Sequence, residues 1–177
     1  MRRLILIRHA KSDYPSGVGD HDRPLNDRGR RDAPFIGRWL DANVAWPDEG
    51  APMVLVSSAT RAQSTWSLAA GQLSSRWAAC DQRTESRIYD ASLTTLVTLI
   101  DEVPGAVSML IVVGHNPGLV SAIDRLGMEG DNFVAALEKF PTSAIAVLET
   151  SEDWAVATAR PNSWQVTNFV VPRAADG

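Results

Sequence analysis

Three short apolar runs stand out along the chain, and each ends abruptly in polar residues. They lie at Leu4–Ile7, Met53–Val56 and Met109–Val113. A short, partly β-branched run bounded by polar residues is typical of a strand that is buried on both faces. The sequence therefore predicts three central strands, with a weaker fourth candidate at Thr84–Ile88.

Helical spacing of apolar residues follows each of these runs. The predicted helices lie at about Asp27–Ala42, Arg61–Leu73, Leu93–Ile100 and Pro117–Leu126. Ser92 can cap the third of them, and Pro117 can open the fourth. Pro34 lies inside the first helix, so this helix either is kinked there or begins near Pro34 with Asp32 as its cap.

The end of the chain is predicted to add two strands, Ser143–Leu148 and Trp154–Thr158, as an antiparallel pair across the turn-forming ETSED. Strands that alternate with helices predict an α/β fold: a three-layer sandwich with a mainly parallel central sheet and helices on both faces. We expect residues 1–177 to form a single domain, with any disorder confined to the last few residues.

Composition and charge limit the partners of this fold. The net charge of −4 and the pI of about 5.3 argue against binding to nucleic acid or to an anionic membrane surface, because both need clustered cations. Cys80 is the one cysteine, so we expect neither a disulfide nor a cysteine-based metal cluster. The apolar stretch near the first residue is too short for a signal peptide. The sequence also has no run of about 18 apolar residues, the length that a membrane-spanning helix needs. We therefore expect a cytoplasmic protein.

Polar side chains follow the three strong strands at the point where each one ends. Arg8 and His9 follow the first strand, Ser57 and then Arg61 follow the second, and His115 follows the third. Because the carboxyl ends of parallel strands meet at one edge of a sheet, residues far apart in sequence should converge there. This convergence is the main reason to expect a site.

The residue types at this edge suit phosphoryl transfer. A neutral imidazole nitrogen can attack phosphorus in line, which gives a phosphohistidine that water later cleaves. Two arginines can bind the phosphoryl oxygens without a metal, and His115 adds a third donor or cation. A single histidine at a strand end is more often structural, so the prediction depends on the whole set. His21, in GDHDRP, is interpreted as a loop residue.

Several motifs also carry a resemblance to a known family. LILIRHAKS resembles the signature of the histidine phosphatase superfamily, the phosphoglycerate mutase-like phosphatases, and SSATRAQST and VVGHNPG are similar to its second and third motifs. RPLNDRGRRDA, TESRIYDAS and FPTSAIAVLE resemble the SixA-like phosphohistidine phosphatase branch. The motifs occur in the family's order between about residues 3 and 150. Ala10 stands where many relatives carry glycine.

The resemblance implies roles for individual residues. His9 would be the nucleophile, Arg8 and Arg61 would bind phosphate, and His115 would stabilise the transferring group. Its neighbour Asn116 is a further candidate for substrate binding. Mutase-like relatives use an acidic residue to protonate the leaving group, and Glu85 is the nearest candidate by position, although a surface charge at a strand end is an equally good interpretation.

The resulting prediction is a metal-independent phosphatase that needs no cofactor and acts through a phosphohistidine intermediate. The favoured substrate is phosphohistidine on a protein, because the segments after Arg61 and after VVGHNPG look too short to build a cap over the pocket. The loop Lys11–Arg23 is the one element that could narrow its mouth. The alternatives are a phosphomonoesterase for a small phosphorylated metabolite and, less favoured, a non-catalytic phosphate-binding module.

Overall fold

A computed structural model of the chain describes residues 1–48, 50 and 52–171. The strands are β1 (Arg2–Arg8), β2 (Met53–Ser57), β3 (Asp81–Glu85), β4 (Met109–Gly114), β5 (Gly127–Met128), β6 (Ile145–Thr150) and β7 (Trp164–Val170). The helices are α1 (Asp27–Asn43), α2 (Thr60–Ala70), α3 (Leu93–Asp101), α4 (Gly118–Leu126), α5 (Asp131–Glu138) and α6 (Trp154–Ala159). Short 3-10 turns lie at Asp20–Asp22, Ser75–Ala79 and Ser86–Ile88.

The strands form one seven-stranded sheet in the order β3-β2-β4-β1-β6-β7-β5. Its first four strands are parallel to one another, whereas β6 runs antiparallel to both β1 and β7. In the centre, Arg8 at the end of β1 pairs in register with Gly114 at the end of β4. The carboxyl ends of these two strands therefore lie side by side.

The sheet is buried on both faces. Leu4 and Leu6 of β1 pack into one core with α3, α4, α5 and α6, while Ile5 and Ile7 pack into the other core with α1 and α2. All four of these side chains are at most 1% exposed. Burying one such aliphatic side chain contributes about 1.5–3 kcal/mol to folding, so both faces of the strand hold it in place. The predicted three-layer α/β sandwich is confirmed.

The sequence left open whether the first helix continues through Pro34 or begins near it. Helix α1 begins at Asp27 and continues past Pro34 to Asn43, and its cap is Asn26, whose side chain accepts a hydrogen bond from the Gly29 amide. The alternative start near Pro34 with Asp32 as the cap is therefore wrong.

Two predictions for the second half of the chain are wrong. Trp154–Thr158 is helical, within α6, because Trp154 and Ala157 pack on one side while the Thr158 hydroxyl donates back to the Trp154 carbonyl. The antiparallel partner of β6 is instead β7, which lies further along the chain. The stretch between α4 and β6, expected to be a short connection, contains the additional helix α5.

The weak fourth strand is shifted from its predicted position. Strand β3 covers Asp81–Glu85, and the residues after it, Ser86–Ile88, form a 3-10 turn. The disorder expected for the last few residues concerns 172–177, which lie outside the described residues. Among the described helices, none is both long enough and apolar enough to cross a membrane.

Candidate active site

The carboxyl ends of β1, β2 and β4 bring the predicted residues to one edge of the sheet. His9 follows β1, and its amide donates to the Gly114 carbonyl at the end of β4, 3.0 Å away. The centroids of the His9 and His115 rings are 5.0 Å apart. Arg61 lies in the first turn of α2, after β2, and is 6% exposed. Residues separated by more than 100 positions thus form one cluster.

His9 is held in a single orientation by its neighbours. Its Nδ1 lies 2.7 Å from the Ala10 carbonyl oxygen, and the Ala10 amide donates to Thr65 Oγ1 in α2 at 2.9 Å. A carbonyl oxygen can only accept, so Nδ1 must carry the hydrogen. In the neutral ring, Nε2 then has a free lone pair.

Burial keeps this ring neutral. His9 is 8% exposed, and its pKa is lowered to about 3, chiefly by burial, with His115, Arg61 and Arg8 adding repulsion of a further positive charge. At neutral pH the lone pair on Nε2 is therefore available to attack an electrophile.

His115 is positioned by a buried serine. Ser57, at the end of β2, places its Oγ 2.8 Å from His115 Nε2 and also accepts the Ala59 amide. If the hydroxyl donates to Nε2, the ring hydrogen lies on Nδ1, a buried atom with no partner among the described residues. Burial and the nearby Arg61 lower the pKa of His115 to about 4. In the free protein this residue is thus a neutral donor, not the additional cation that the sequence allowed.

Arg8 and Asn116 are anchored by the same backbone carbonyl. The Phe140 oxygen, in the connection before β6, accepts from an Arg8 terminal nitrogen at 2.8 Å and from Asn116 Nδ2 at 2.9 Å. Arg8 Nε is buried and has no hydrogen-bond partner in the part of the chain that is described. Burial lowers the pKa of Arg8, but an arginine stays charged at neutral pH. An anion near Nε would complete its hydrogen bonding.

The loop Lys11–Arg23 reaches the site through Asp20. Arg61 donates from one terminal nitrogen to the Asp20 carbonyl, at 2.6 Å, and from the other to the Asp20 carboxylate, at 3.1 Å. The same carboxylate accepts from the Tyr89 hydroxyl at 2.9 Å and from Arg23 at 2.7 Å. The loop therefore does narrow the mouth of the site, as the sequence allowed.

His21 lies in the loop, as interpreted from the sequence, within the 3-10 turn Asp20–Asp22, and its side chain contacts residues at the rim of the site. Its Nε2 lies 2.9 Å from Ser58 Oγ, and its ring packs edge-on against Tyr89 with 4.9 Å between centroids. Tyr89 also lies edge-on to His115, at 5.8 Å. The rim of the site is therefore lined by aromatic rings.

Glu85 occupies the end of β3, where its contacts are with Arg87. The arginine donates to both carboxylate oxygens, and these hydrogen bonds lower the pKa of Glu85 below its usual value. A carboxylate that is ionised in this way is a poor proton donor at neutral pH. The structure gives no support to Glu85 as the acid, and Asn116 as a substrate ligand stays a prediction.

Among residues 1–48, 50 and 52–171, no group of three or more histidine, cysteine, aspartate or glutamate side chains could hold a metal ion. Cys80 is half-buried, and burial raises the pKa of its thiol to about 11, so it is protonated and unreactive at neutral pH.

Sequence reasoning identified the two histidines and two arginines that the structure brings together, but it missed Asp20 and Tyr89. These two residues are 69 positions apart and meet only because the loop folds back across the sheet edge. The single clue was the density of charged residues in GDHDRP.

The chain is similar to proteins of a known family and to solved structures. Residues 4–108 match the model of the histidine phosphatase superfamily, branch 1. An uncharacterised protein of Mycobacterium tuberculosis is 40% identical over 171 residues, which cover 94% of this chain and 100% of that protein.

Two solved structures are similar along nearly the whole chain. A proposed SixA phosphohistidine phosphatase from Nakamurella multipartitia has a TM-score of 0.81 and 26% identity, covering 98% of this chain and 97% of its own. A proposed SixA phosphohistidine phosphatase from Agrobacterium tumefaciens has a TM-score of 0.76 and 28% identity, covering 97% and 98%.

Proposed function

The chain belongs to the histidine phosphatase superfamily and is a phosphatase; from this premise we propose that it hydrolyses phosphohistidine on proteins through a phosphorylated His9. The observation that carries the proposal is the hydrogen bond from His9 Nδ1 to the Ala10 carbonyl, at 2.7 Å. This bond leaves the Nε2 lone pair free in a ring that burial keeps neutral.

The reaction proceeds in two displacements at phosphorus. His9 Nε2 attacks the phosphorus while the bond to the leaving group breaks, and the electron pair of that bond stays on the leaving group. Water then attacks the phosphorylated His9, which releases inorganic phosphate and restores the imidazole. A leaving imidazole that already carries a proton on its other nitrogen departs as a neutral ring, so this substrate needs no proton from the enzyme.

The cationic side chains would hold the phosphoryl group during both steps. Arg8 and Arg61 can each donate to phosphoryl oxygens, and His115 can add a third hydrogen bond from Nδ1 while its Nε2 faces Ser57. Because these donors are fixed by Phe140, Asp20 and Ser57, little reorganisation is needed when charge develops in the transition state.

The segments around the site support the proposal of a protein substrate. Between β2 and β4 the chain forms only α2, β3, α3 and short turns, all of which belong to the sheet or its flanking layers. The unpredicted helix α5 packs against α4 and β7 and contributes to the core. The Asp20 and His21 side chains at the rim are 54% and 42% exposed. A side chain on a protein surface can approach such a mouth.

The alternative is a phosphomonoesterase for a small metabolite, which would use the same nucleophile and clamp. The loop Lys11–Arg23 favours it in one respect, because Asp20 narrows the mouth. A module that binds phosphate without turnover is disfavoured, since binding would not require the Nε2 lone pair of His9 to be kept free.

The substrate is tested by the ratio of kcat/KM between a phosphohistidine-bearing protein and the best of a panel of phosphomonoesters. We expect a ratio above one, because the exposed side chains at the rim leave room for a protein side chain and the imidazole leaves without an acid. A ratio below one would reject the protein substrate and leave the phosphatase activity itself in place.

Activity is expected to need no divalent metal and to be blocked by tungstate or vanadate. Arginine and histidine donors supply the positive charge that a metal would otherwise provide, and an oxyanion can occupy the same clamp. The measurement is turnover after exhaustive chelation, followed by an oxyanion titration. Activity that is lost on chelation and restored by one added metal would contradict the clamp.

A further inference from the structure

The carboxylate of Asp20 lies beside Arg61 and Tyr89, and its side chain is 54% exposed. Its Oδ2 bridges Arg61, one side of the phosphate clamp, and the hydroxyl of Tyr89, whose ring packs against His115. In an in-line displacement the leaving group departs on the side of the phosphorus opposite His9, and the proposal takes the Asp20 rim to be on that side. The carboxylate thus lies between two walls of the site and the solvent.

The carboxylate is fixed in place but has hydrogen-bonding capacity left. Oδ1 accepts from Arg23 at 2.7 Å, and Oδ2 accepts from Arg61 at 3.1 Å and Tyr89 at 2.9 Å. A carboxylate can accept about four hydrogen bonds, and the Asp20 side chain is 54% exposed, so a further donor can reach it. The hydrogen bonds from Arg23 and Tyr89 hold the pKa of Asp20 at about 2, so this group is an acceptor and not a proton donor at neutral pH.

The aromatic rings beside Asp20 suit a substrate ring that is flat and positively charged before its bond to phosphorus breaks. Tyr89 and His21 pack edge-on with 4.9 Å between centroids, and the Arg61 guanidinium lies 5.8 Å from the centre of the Tyr89 ring. Such rings attract another flat ring, and a tyrosine face also attracts a cation.

We propose that Asp20 is a specificity-determining residue that selects a phosphorylated imidazole by accepting the N–H of its protonated ring, an inference that rests on the proposed function. The substrate ring carries phosphorus on one nitrogen and a proton on the other. When the phosphorus–nitrogen bond breaks, the electron pair returns to the first nitrogen, and the ring leaves neutral with its proton still on the second. Asp20 stabilises the protonated ring before the bond breaks, and it repels anionic metabolites from the mouth.

The test compares Asp20→Asn with the unaltered protein on two substrates. A phosphohistidine peptide has a leaving group that can donate to Asp20, whereas p-nitrophenyl phosphate leaves as a stable anion and depends on His9 and the clamp alone. We expect kcat/KM for the peptide to fall about tenfold, as befits one charge-assisted hydrogen bond at a partly exposed site. The value for p-nitrophenyl phosphate should fall less than the value for the peptide, because this substrate is affected only through the side-chain contact of Asp20 with Arg61. Asn keeps an oxygen acceptor for Arg23, and the main-chain contact with Arg61 does not depend on the side chain.

Matched variants separate charge from loop structure. Asp22→Asn removes a neighbouring carboxylate that contacts the His21 side chain, and it should leave the substrate ratio as it is. Asp20→Glu restores the charge and should recover part of the lost peptide activity. Equal losses on both substrates in Asp20→Asn would instead mean that Asp20 merely positions Arg61, which overturns the proposal.

Failure of this inference can be told apart from failure of the proposed function. If the unaltered protein hydrolyses p-nitrophenyl phosphate but no phosphohistidine peptide, the proposed substrate is wrong and the role of Asp20 falls with it. If the unaltered protein hydrolyses both and Asp20→Asn leaves their ratio the same, the role of Asp20 alone is wrong.

Discussion

Replacing His9 with alanine is expected to lower kcat by about 10⁴-fold or more and to abolish covalent labelling by substrate. The hydrogen bond from His9 Nδ1 to the Ala10 carbonyl leaves the lone pair of Nε2 free to attack phosphorus. No other described side chain at this edge has both features. Rapid quench with a ³²P-labelled substrate should trap an acid-labile, base-stable adduct on the unaltered protein.

His115→Ala is the matched comparison for this experiment. The two rings are neighbours, with 5.0 Å between centroids, so either could in principle carry the phosphoryl group. We expect His115→Ala to slow turnover while the label still forms on His9, because His115 Nε2 is occupied by Ser57. Near-normal turnover in His9→Ala, or a label that moves to His115, would reject the mechanism.

The central strands could be predicted from the sequence because they are buried on both sides. Leu4 and Ile5 are neighbours that face different cores, so the run is apolar throughout, without the alternation of a half-exposed strand. Parallel strands have their carboxyl ends at the same edge of a sheet. The grouping of His9, Arg61 and His115 at that edge could therefore be predicted as well.

The edge strand β3 carries no such pattern. Its five residues, DQRTE, are exposed or only partly buried, and its position depends on parallel pairing with β2. The strand was therefore predicted too late along the chain, on the segment that contains the buried Ile88 of the following turn. Pairing with a distant segment is information that a local pattern does not contain.

The error at Trp154–Thr158 has a different cause. Alternating larger and smaller residues in WAVAT fit a strand, but a segment of this length fits one turn and a half of helix equally well. Contacts with α3 and the hydrogen bonds of Thr158 with Trp154 and Asp101 favour the helix. The local sequence is compatible with both a strand and a helix, and tertiary packing favours the helix.

The contacts of Asp20 could not be predicted because they depend on the path of a loop. Arg23 holds that path by donating to Ser12 Oγ, to the Asp13 carbonyl and to Asp20 itself. Ser12 and Asp13 lie 11 and 10 positions from Arg23, so no periodic pattern reveals these two contacts. The catalytic residues lie at the ends of predicted strands or in the first turn of a helix and could be found, whereas Asp20 lies on the loop.

Arg61→Lys is expected to lower kcat/KM by about 10³-fold and to weaken tungstate binding in parallel. A guanidinium can donate to Asp20 and to a phosphoryl group at the same time, because it has five N–H donors in a planar fork, whereas an ammonium group acts as one flexible point charge. The measurements are steady-state kinetics and tungstate titration by calorimetry.

Arg38→Lys provides the control, because Arg38 is exposed on α1 and donates to Gln72 away from the sheet edge. It should leave both kinetics and tungstate binding unchanged. If Arg61→Lys kept most of its kcat/KM and its tungstate affinity, Arg61 would serve only to tie the loop to α2 through Asp20. In that case Arg61→Lys would lower the thermal unfolding temperature instead, because the buried guanidinium and its hydrogen bonds to Asp20 would be lost.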